Sequence, residues 1–269
     1  MNPTTLAGRL IALDVDGTLV RSDGTVSART VRALRAACDE GAVITLATGR
    51  DWHAVKGLLS DVRVVDYALC VNGIEVFRAD GHELFAAELD AGRAREAIQI
   101  LREAIPGIAV GAGMRGELIG EPSINETMPA GVADVTVVDD ILSVLGPGLR
   151  DLVLYHPDHR DDLDTFHERC RSVLPTNGLD VAFTGLPMIE IVPPGSGKDA
   201  GLAWLADHLG IPRADVVAFG DGLNDLAMLE WAGLGVAMGQ ASAVVREAAD
   251  IVTMSNADDG IAHWLELAL

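Results

Sequence analysis

The 269-residue sequence predicts an α/β protein, a doubly wound parallel-sheet (Rossmann-like) core into which an α+β domain is inserted. Three observations predict it. Short apolar runs recur along both flanks of the chain and stop at Asp, Thr-Gly or Gly-Asp, as buried parallel strands do on reaching the carboxyl edge of their sheet. Between them lie amphipathic stretches with apolar residues three and four apart, the period of a helix. From roughly Glu88 to Pro187 the texture changes to short strands broken by Gly and Pro, which suits an α+β insertion.

The stretch Arg9 to Val20, R-L-I-A-L-D-V-D-G-T-L-V, organises the rest. Its apolar half reads as a buried strand, so Asp14 and Asp16, on one side of an extended backbone, belong at the strand's carboxyl end. Two like charges so close persist most readily with a cation between them or one carboxylate protonated. D-x-D-G is also an ordinary turn composition, and context has to decide. Ser27 is a candidate N-cap for a helix carrying Val31, Leu34 and Cys38, closed by Gly41. Ala42 to Ala47 is a second buried strand running into Thr48, Gly49 and Arg50 ahead of a helix near Asp51, a hydroxyl, an amide and a guanidinium placed where anions bind. Tyr67 to Val71 is a third strand, and Asn72-Gly73 leads to a hairpin around Asp80-Gly81.

In the middle region the expected elements are a helix with Ala94, Ile98, Leu101 and Ile105, short strands at Ile108 to Val110 and Leu118 to Gly120, a strand at Leu152 to His156, a helix over Leu163 to Leu174 and a strand at Leu179 to Phe183. Arg115, Glu121, Asn125, His156 and His159 are polar residues there with no spacing that links them, so surface or hydrogen-bonding roles are expected. Met188 to Val192 reads as a strand followed by the loop P-P-G-S-G and a helix opening on Lys198. An ammonium at a helix N-terminus opposes the macrodipole and calls for an anionic partner. Val216 to Phe219 is another buried strand, ending in G-D-G-L-N-D, where Asp221, Asn224 and Asp225 offer oxygens to a hard cation without the context of an EF-hand. Strands at Gly235 to Met238 and Ile251 to Thr253, with helices over Ser242 to Ala248 and near Asp259 to Leu267, complete the sheet.

Composition narrows the function. Forty acidic against twenty basic residues give a formal charge of −20, which opposes nucleic acid and anionic membranes, and 49% hydrophobic residues support a sizeable core. Cys38, Cys70 and Cys170 are odd in number and far apart, which argues against a disulfide framework or zinc cluster. No apolar run approaches the roughly 18 residues of a membrane span, and the first residues lack a basic-then-apolar leader, so a soluble cytoplasmic protein is expected.

The ordered motifs D-V-D-G-T-L, A-T-G-R, V-N-G, Lys198, G-D-G-L-N-D-L-A-M-L, G-V-A-M-G-Q-A and A-D-I-V-T-M-S-N-A-D-D-G-I-A resemble the Cof-type (class IIB) haloacid dehalogenase-like hydrolases over roughly residues 9–82 and 188–267. Across the middle the resemblance rests on size and α+β character alone. It implies a catalytic core of residues 1–84 and 188–269 and a C2B-type α+β cap of residues 85–187, hinged near Asn72 to Gly81 and Pro187 to Gly197. It implies a magnesium-dependent phosphatase acting on a small phosphorylated metabolite, such as a sugar phosphate, through an aspartyl-phosphate. A phosphomannomutase-like enzyme or a glycoside-phosphate-specific phosphatase is the alternative, and a non-catalytic phospho-ligand binding protein a more distant one.

By that resemblance Asp14 is the nucleophile and Asp16 the general acid and base. Thr48 and Lys198 hold the phosphoryl group, with Gly49, Arg50 and Asn224 as further phosphate contacts. Asp14, the backbone carbonyl of Asp16, Asp221 and, through water, Asp225 serve magnesium. Gln240 stands where relatives carry asparagine, a departure expected to lie apart from the chemistry. Neither nucleic acid nor membrane is an expected partner, and the chain is expected as a monomer or weak homodimer.

Overall fold

The computed structural model describes residues 5–127, 135–175, 178–183 and 188–269, with the side chains of residues 60–61 and 125–127 outside that description. In chain order the first elements are β1 (Leu10–Asp14), α1 (Ala28–Asp39), β2 (Val43–Ala47), α2 (Trp52–Val62), β3 (Tyr67–Cys70), β4 (Glu75–Arg78) and β5 (Glu83–Ala86). There follow α3 (Ala91–Ala104), β6 (Ala109–Met114), β7 (Glu117–Gly120), α4 (Pro122–Thr127), β8 (Val135–Val137), β9 (Leu149–Tyr155), α5 (Leu163–Val173), β10 (Asp180–Phe183) and β11 (Ile189–Val192). The last are α6 (Lys198–Leu209), β12 (Val216–Gly220), α7 (Leu226–Trp231), β13 (Leu234–Ala237), α8 (Ala243–Ala248), β14 (Ile251–Val252) and α9 (Gly260–Ala268). The chain divides into two compact units, residues 1–85 with 197–269, and residues 86–196.

The first unit is a doubly wound α/β sheet in the order β14-β13-β12-β1-β2-β3-β4-β5. Pairing is parallel from β14 through β3, and β4 turns back antiparallel on β3. Alternation along β1 explains why helices cover both faces. Ile11 and Leu13 pack into one core with Leu34 of α1, Val55 of α2 and Leu265 of α9, while Leu10 and Ala12 face Leu202 of α6, Met228 of α7 and Val245 of α8. Every residue of β1 is buried, so Asp14 can only be its last. Local caps fit the sequence: Ser27 accepts from the Thr30 N–H to start α1, and Asp51 from the Ala54 N–H to start α2.

The second unit is a six-stranded sheet, β10-β11-β9-β6-β7-β8, antiparallel except where β7 meets β8. Ala94, Ile98 and Leu101 of α3 and Phe166 and Cys170 of α5 pack on Leu152, Leu154, Ile189 and Ile191. Two expectations shift here. The strand at Met188 to Val192 pairs with β9 and β10, so the second boundary falls at 196/197 and not at 188. The strand expected over Ile108 to Val110 continues to Met114 through Gly111 and Gly113. A side chain at Gly113 would lie 2.1 Å from Asp151 Oδ1, so glycine is needed inside this strand and does not break it. Pro187, placed in a hinge by the sequence, lies outside the described residues, and so does the side chain of Asn125.

Candidate active site

The carboxyl ends of three adjacent strands, β12, β1 and β2, and the first residue of α6 supply the site. Asp14 ends β1, and its Oδ1 accepts from Lys198 Nζ at 2.6 Å; the same ammonium reaches Asp225 Oδ1 at 2.6 Å. All three side chains are buried. The anionic partner that Lys198 demands at its helix N-terminus is therefore a pair of aspartates. The loop after β12 is held by Asp225, whose Oδ2 accepts the backbone N–H groups of Asp221 (2.9 Å) and Gly222 (2.8 Å).

Two glycines allow this convergence. Gly17 has φ +86°, and a Cβ on it would lie 2.3 Å from Asp221 Oδ2; Gly73 has φ +86°, and its Cβ would lie 2.3 Å from the Gly197 carbonyl oxygen beside Lys198. The turn before Gly73 is itself strained, with Val71 at φ 48° and Asn72 at φ 50°. A left-handed β-branched residue costs on the order of 1–3 kcal/mol and needs external bonds to persist. Here the Val71 N–H donates to the Arg50 carbonyl (3.0 Å) and the Asn72 N–H to the Thr48 carbonyl (2.9 Å). Asn72 Oδ1 in turn accepts from Asn224 Nδ2 at 3.1 Å, tying the β3 turn to the β12 loop.

Thr48 is buried just past β2, and its Oγ1 accepts the Arg50 N–H at 3.1 Å. Gly49 is half-buried between them. Arg50 holds the carboxylate of Asp16 in a two-pronged pair, Nε to Oδ2 at 2.8 Å and Nη2 to Oδ1 at 2.5 Å. Asp16, largely exposed, thus turns its carboxylate to Arg50, while Asp14, Asp221 and Asp225 each place an oxygen within 4.8 Å of the others. Thr18, which no sequence argument singled out, and Gln240, expected from the sequence to lie apart from the chemistry, both donate to Asp221.

Electrostatics show what the cluster lacks. Burial, opposed by Lys198 and reinforced by Asp225 and Asp221, raises the Asp14 carboxyl from 3.8 to about 7. Burial also raises Asp221. Lys198 stays protonated, since Asp14 and Asp225 outweigh the burial that would lower it. With all three carboxylates ionised, the one ammonium leaves two uncompensated negative charges, which matches a divalent cation. The donors are oxygens with no His or Cys among them, a set suited to magnesium and not to zinc.

A pH dependence follows. Asp14 keeps a proton in the folded protein that the unfolded chain has released above about 4, so metal-free stability should fall as pH rises from about 4 to about 7 and level off beyond. Melting curves in chelator across pH 5–8 check this, and Asp14→Asn should remove that component of the slope. Identical slopes in the two proteins would contradict it.

Glu121, His156, His159 and Arg115 have local places within the second unit. Glu121 accepts from Arg102 Nη2 (2.7 Å) and from the Ile141 N–H (3.1 Å). His156 Nδ1 accepts from the Asp158 N–H at 3.2 Å, and His159 stacks on Phe166. Arg115 occupies the left-handed position of the β6–β7 turn at φ 53°.

Residues 11–265 match the haloacid dehalogenase-like hydrolase family. A 5-amino-6-(5-phospho-D-ribitylamino)uracil phosphatase of Bacillus subtilis is 27% identical over 264 residues, covering 96% of each chain. A solved phosphatase of the haloalkanoate enzyme superfamily from Bacteroides thetaiotaomicron has TM-score 0.80 at 26% identity, covering 98% of this chain and 96% of its own. A solved subclass IIB sugar phosphatase has TM-score 0.77 at 21% identity, covering 96% of this chain and 98% of its own, a likeness of fold. Since the family match runs from β1 to α9 and takes in each strand end that builds the site, the chain belongs to the haloacid dehalogenase-like hydrolases.

Proposed function

We propose that this protein is a magnesium-dependent phosphatase that hydrolyses a small phosphorylated metabolite, a sugar phosphate or similar phosphoester, through an aspartyl-phosphate on Asp14. The observation that carries the reading is the buried Asp14 at the end of β1, joined to Lys198 and set beside Asp221 and Asp225. The names of two similar proteins, a phosphoribityl-compound phosphatase and a sugar phosphatase, support the substrate class.

In this reading Asp14 and Asp221 would hold the ion together with the Asp16 carbonyl, and Asp225 would support them. Bound magnesium supplies the positive charge that lets an anionic phosphoester enter an acidic site. An Asp14 oxygen attacks phosphorus as the ester P–O bond breaks, with Lys198 and the Thr48 hydroxyl holding phosphoryl oxygens. Asp16 leaves Arg50, takes up a proton from solvent and gives it to the departing alkoxide, then takes one from the water that attacks the phosphorus of the acyl phosphate. Gly49, Arg50 and Asn224 line the phosphate's approach. Inorganic phosphate leaves and Asp14 is restored.

The test is release of inorganic phosphate from a panel of phosphorylated metabolites. Release should occur with magnesium and cease on exhaustive chelation. Full activity without metal, or isomerised product without phosphate release, would overturn the phosphatase reading.

Asp16→Asn should fold, keep its metal and lose on the order of 10²-fold in turnover of unactivated esters, the scale of general acid–base catalysis. The loss should shrink for aryl phosphates, whose leaving groups need no proton. Turnover of alkyl phosphates within about threefold of wild type would refute the assignment.

We further propose that residues 86–196 are a cap of the C2B type that selects the substrate. Exchanging this unit for that of a relative should change which phosphoester is preferred and leave the metal requirement alone. Unchanged preferences would count against the role.

A further inference from the structure

Gln240, in the loop between β13 and α8, is exposed, yet its carboxamide bonds to three segments far apart in sequence. Nε2 donates to the Gly17 carbonyl at 2.5 Å and to Asp221 Oδ2 at 3.4 Å, and Oε1 accepts the Asn256 N–H at 3.0 Å. Asn256 Nδ2 donates onward to the Val20 carbonyl at 3.2 Å. The loop after β1 is thus tied at Gly17 and at Val20 to the segment after β14. Asp221, meanwhile, is aimed by two donors, Thr18 Oγ1 on Oδ1 at 2.9 Å and Gln240 on Oδ2.

A ligating carboxylate binds well only if its plane is already fixed, and removing a group that fixes it typically weakens metal affinity about 10- to 100-fold. We propose that Gln240 is a positioning residue for the divalent cation: its carboxamide sets the spacing and orientation of Asp221 against the loop that carries Asp14 and Asp16. Its oxygen is engaged by the Asn256 N–H, so it acts through Asp221 and not as a ligand. The inference rests on the proposed metal site. It concerns a residue whose removal leaves no hole in the core, so a loss of metal affinity can be told from a loss of fold.

Calorimetric titration of magnesium into the metal-free full-length protein tests it in wild type, Gln240→Ala, Gln240→Met and Asp221→Ala. Gln240→Ala should bind magnesium about 10-fold or more weakly, with a metal-free melting temperature near that of wild type. Gln240→Met, which keeps the length but has no donor, should match it. The metal concentration for half-maximal turnover should rise by the same factor, and kcat at saturating metal should return to within about threefold of wild type. Affinity in both Gln240 variants within about twofold of wild type, with binding lost in Asp221→Ala, overturns the role of Gln240 alone. So does a drop in melting temperature with unchanged affinity, which marks a mere brace. Magnesium binding by Asp221→Ala as tight as in wild type overturns the metal site itself.

Discussion

Asp14→Asn should reduce phosphate release by on the order of 10⁵- to 10⁶-fold, the loss expected when a covalent nucleophile is removed. The fold should survive, because an amide oxygen can still accept from Lys198, which also keeps Asp225. Metal-free stability above pH 7 should hold or rise. Burial lifts the Asp14 carboxyl to about 7, so its ionisation works against the folded state, and a neutral amide removes that cost. Magnesium, expected to stabilise wild type by binding only its folded form, should not raise the melting temperature of the variant appreciably. Melting curves with and without magnesium at pH 8, beside a phosphate-release assay, read both effects. A variant that unfolds, or one that still turns over within tenfold of wild type by order of magnitude, would contradict this account.

Lys198→Ala should give the largest loss of stability of any single change at the site. Its ammonium is fully buried between Asp14 and Asp225, and removing one partner of a buried pair costs about 3–5 kcal/mol because the remaining charge has lost its counter-ion. The first thermal transition should fall by roughly 10 °C, taking about 2–4 °C per kcal/mol for a chain of this size. Magnesium should recover part of the loss by neutralising the same carboxylates, whereas turnover should stay at least about 10³-fold down with no ammonium to hold the phosphoryl oxygens. A metal-free melting temperature equal to that of wild type would show that the aspartates do not depend on Lys198 for charge compensation.

The parts of this site written in local sequence were legible. Asp14, Thr48 and Asp221 each stand at the end of an apolar run, with Asp225 in the loop just beyond, and a polar residue at the end of a buried strand has only the sheet edge to occupy. Lys198 announced its partner through its unfavourable place at a helix N-terminus. What stayed hidden depends on distance through the chain. Thr18 meets Asp221 across 203 positions and Gln240 meets Gly17 across 223, and a neutral donor at a loop leaves no periodicity or charge conflict to mark it. β11 was legible as a strand but not as a member of the second sheet, since an apolar run states that it is buried and not what it pairs with. Gly111 and Gly113 suggested a break because their reason for being in β6, the nearness of Leu118 and Asp151, lies on neighbouring strands.

The central claim is that phosphorus is transferred to Asp14. Mass spectrometry of Asp16→Asn protein, acid-quenched during turnover of an aryl phosphate, tests it most directly, because the slowed attack of water should let the phosphoenzyme accumulate. The account predicts a phosphoryl adduct on the peptide spanning Leu10 to Val20, assigned to Asp14, and none in Asp14→Asn. A phosphoryl group on any other residue, or sustained turnover by Asp14→Asn, would contradict it.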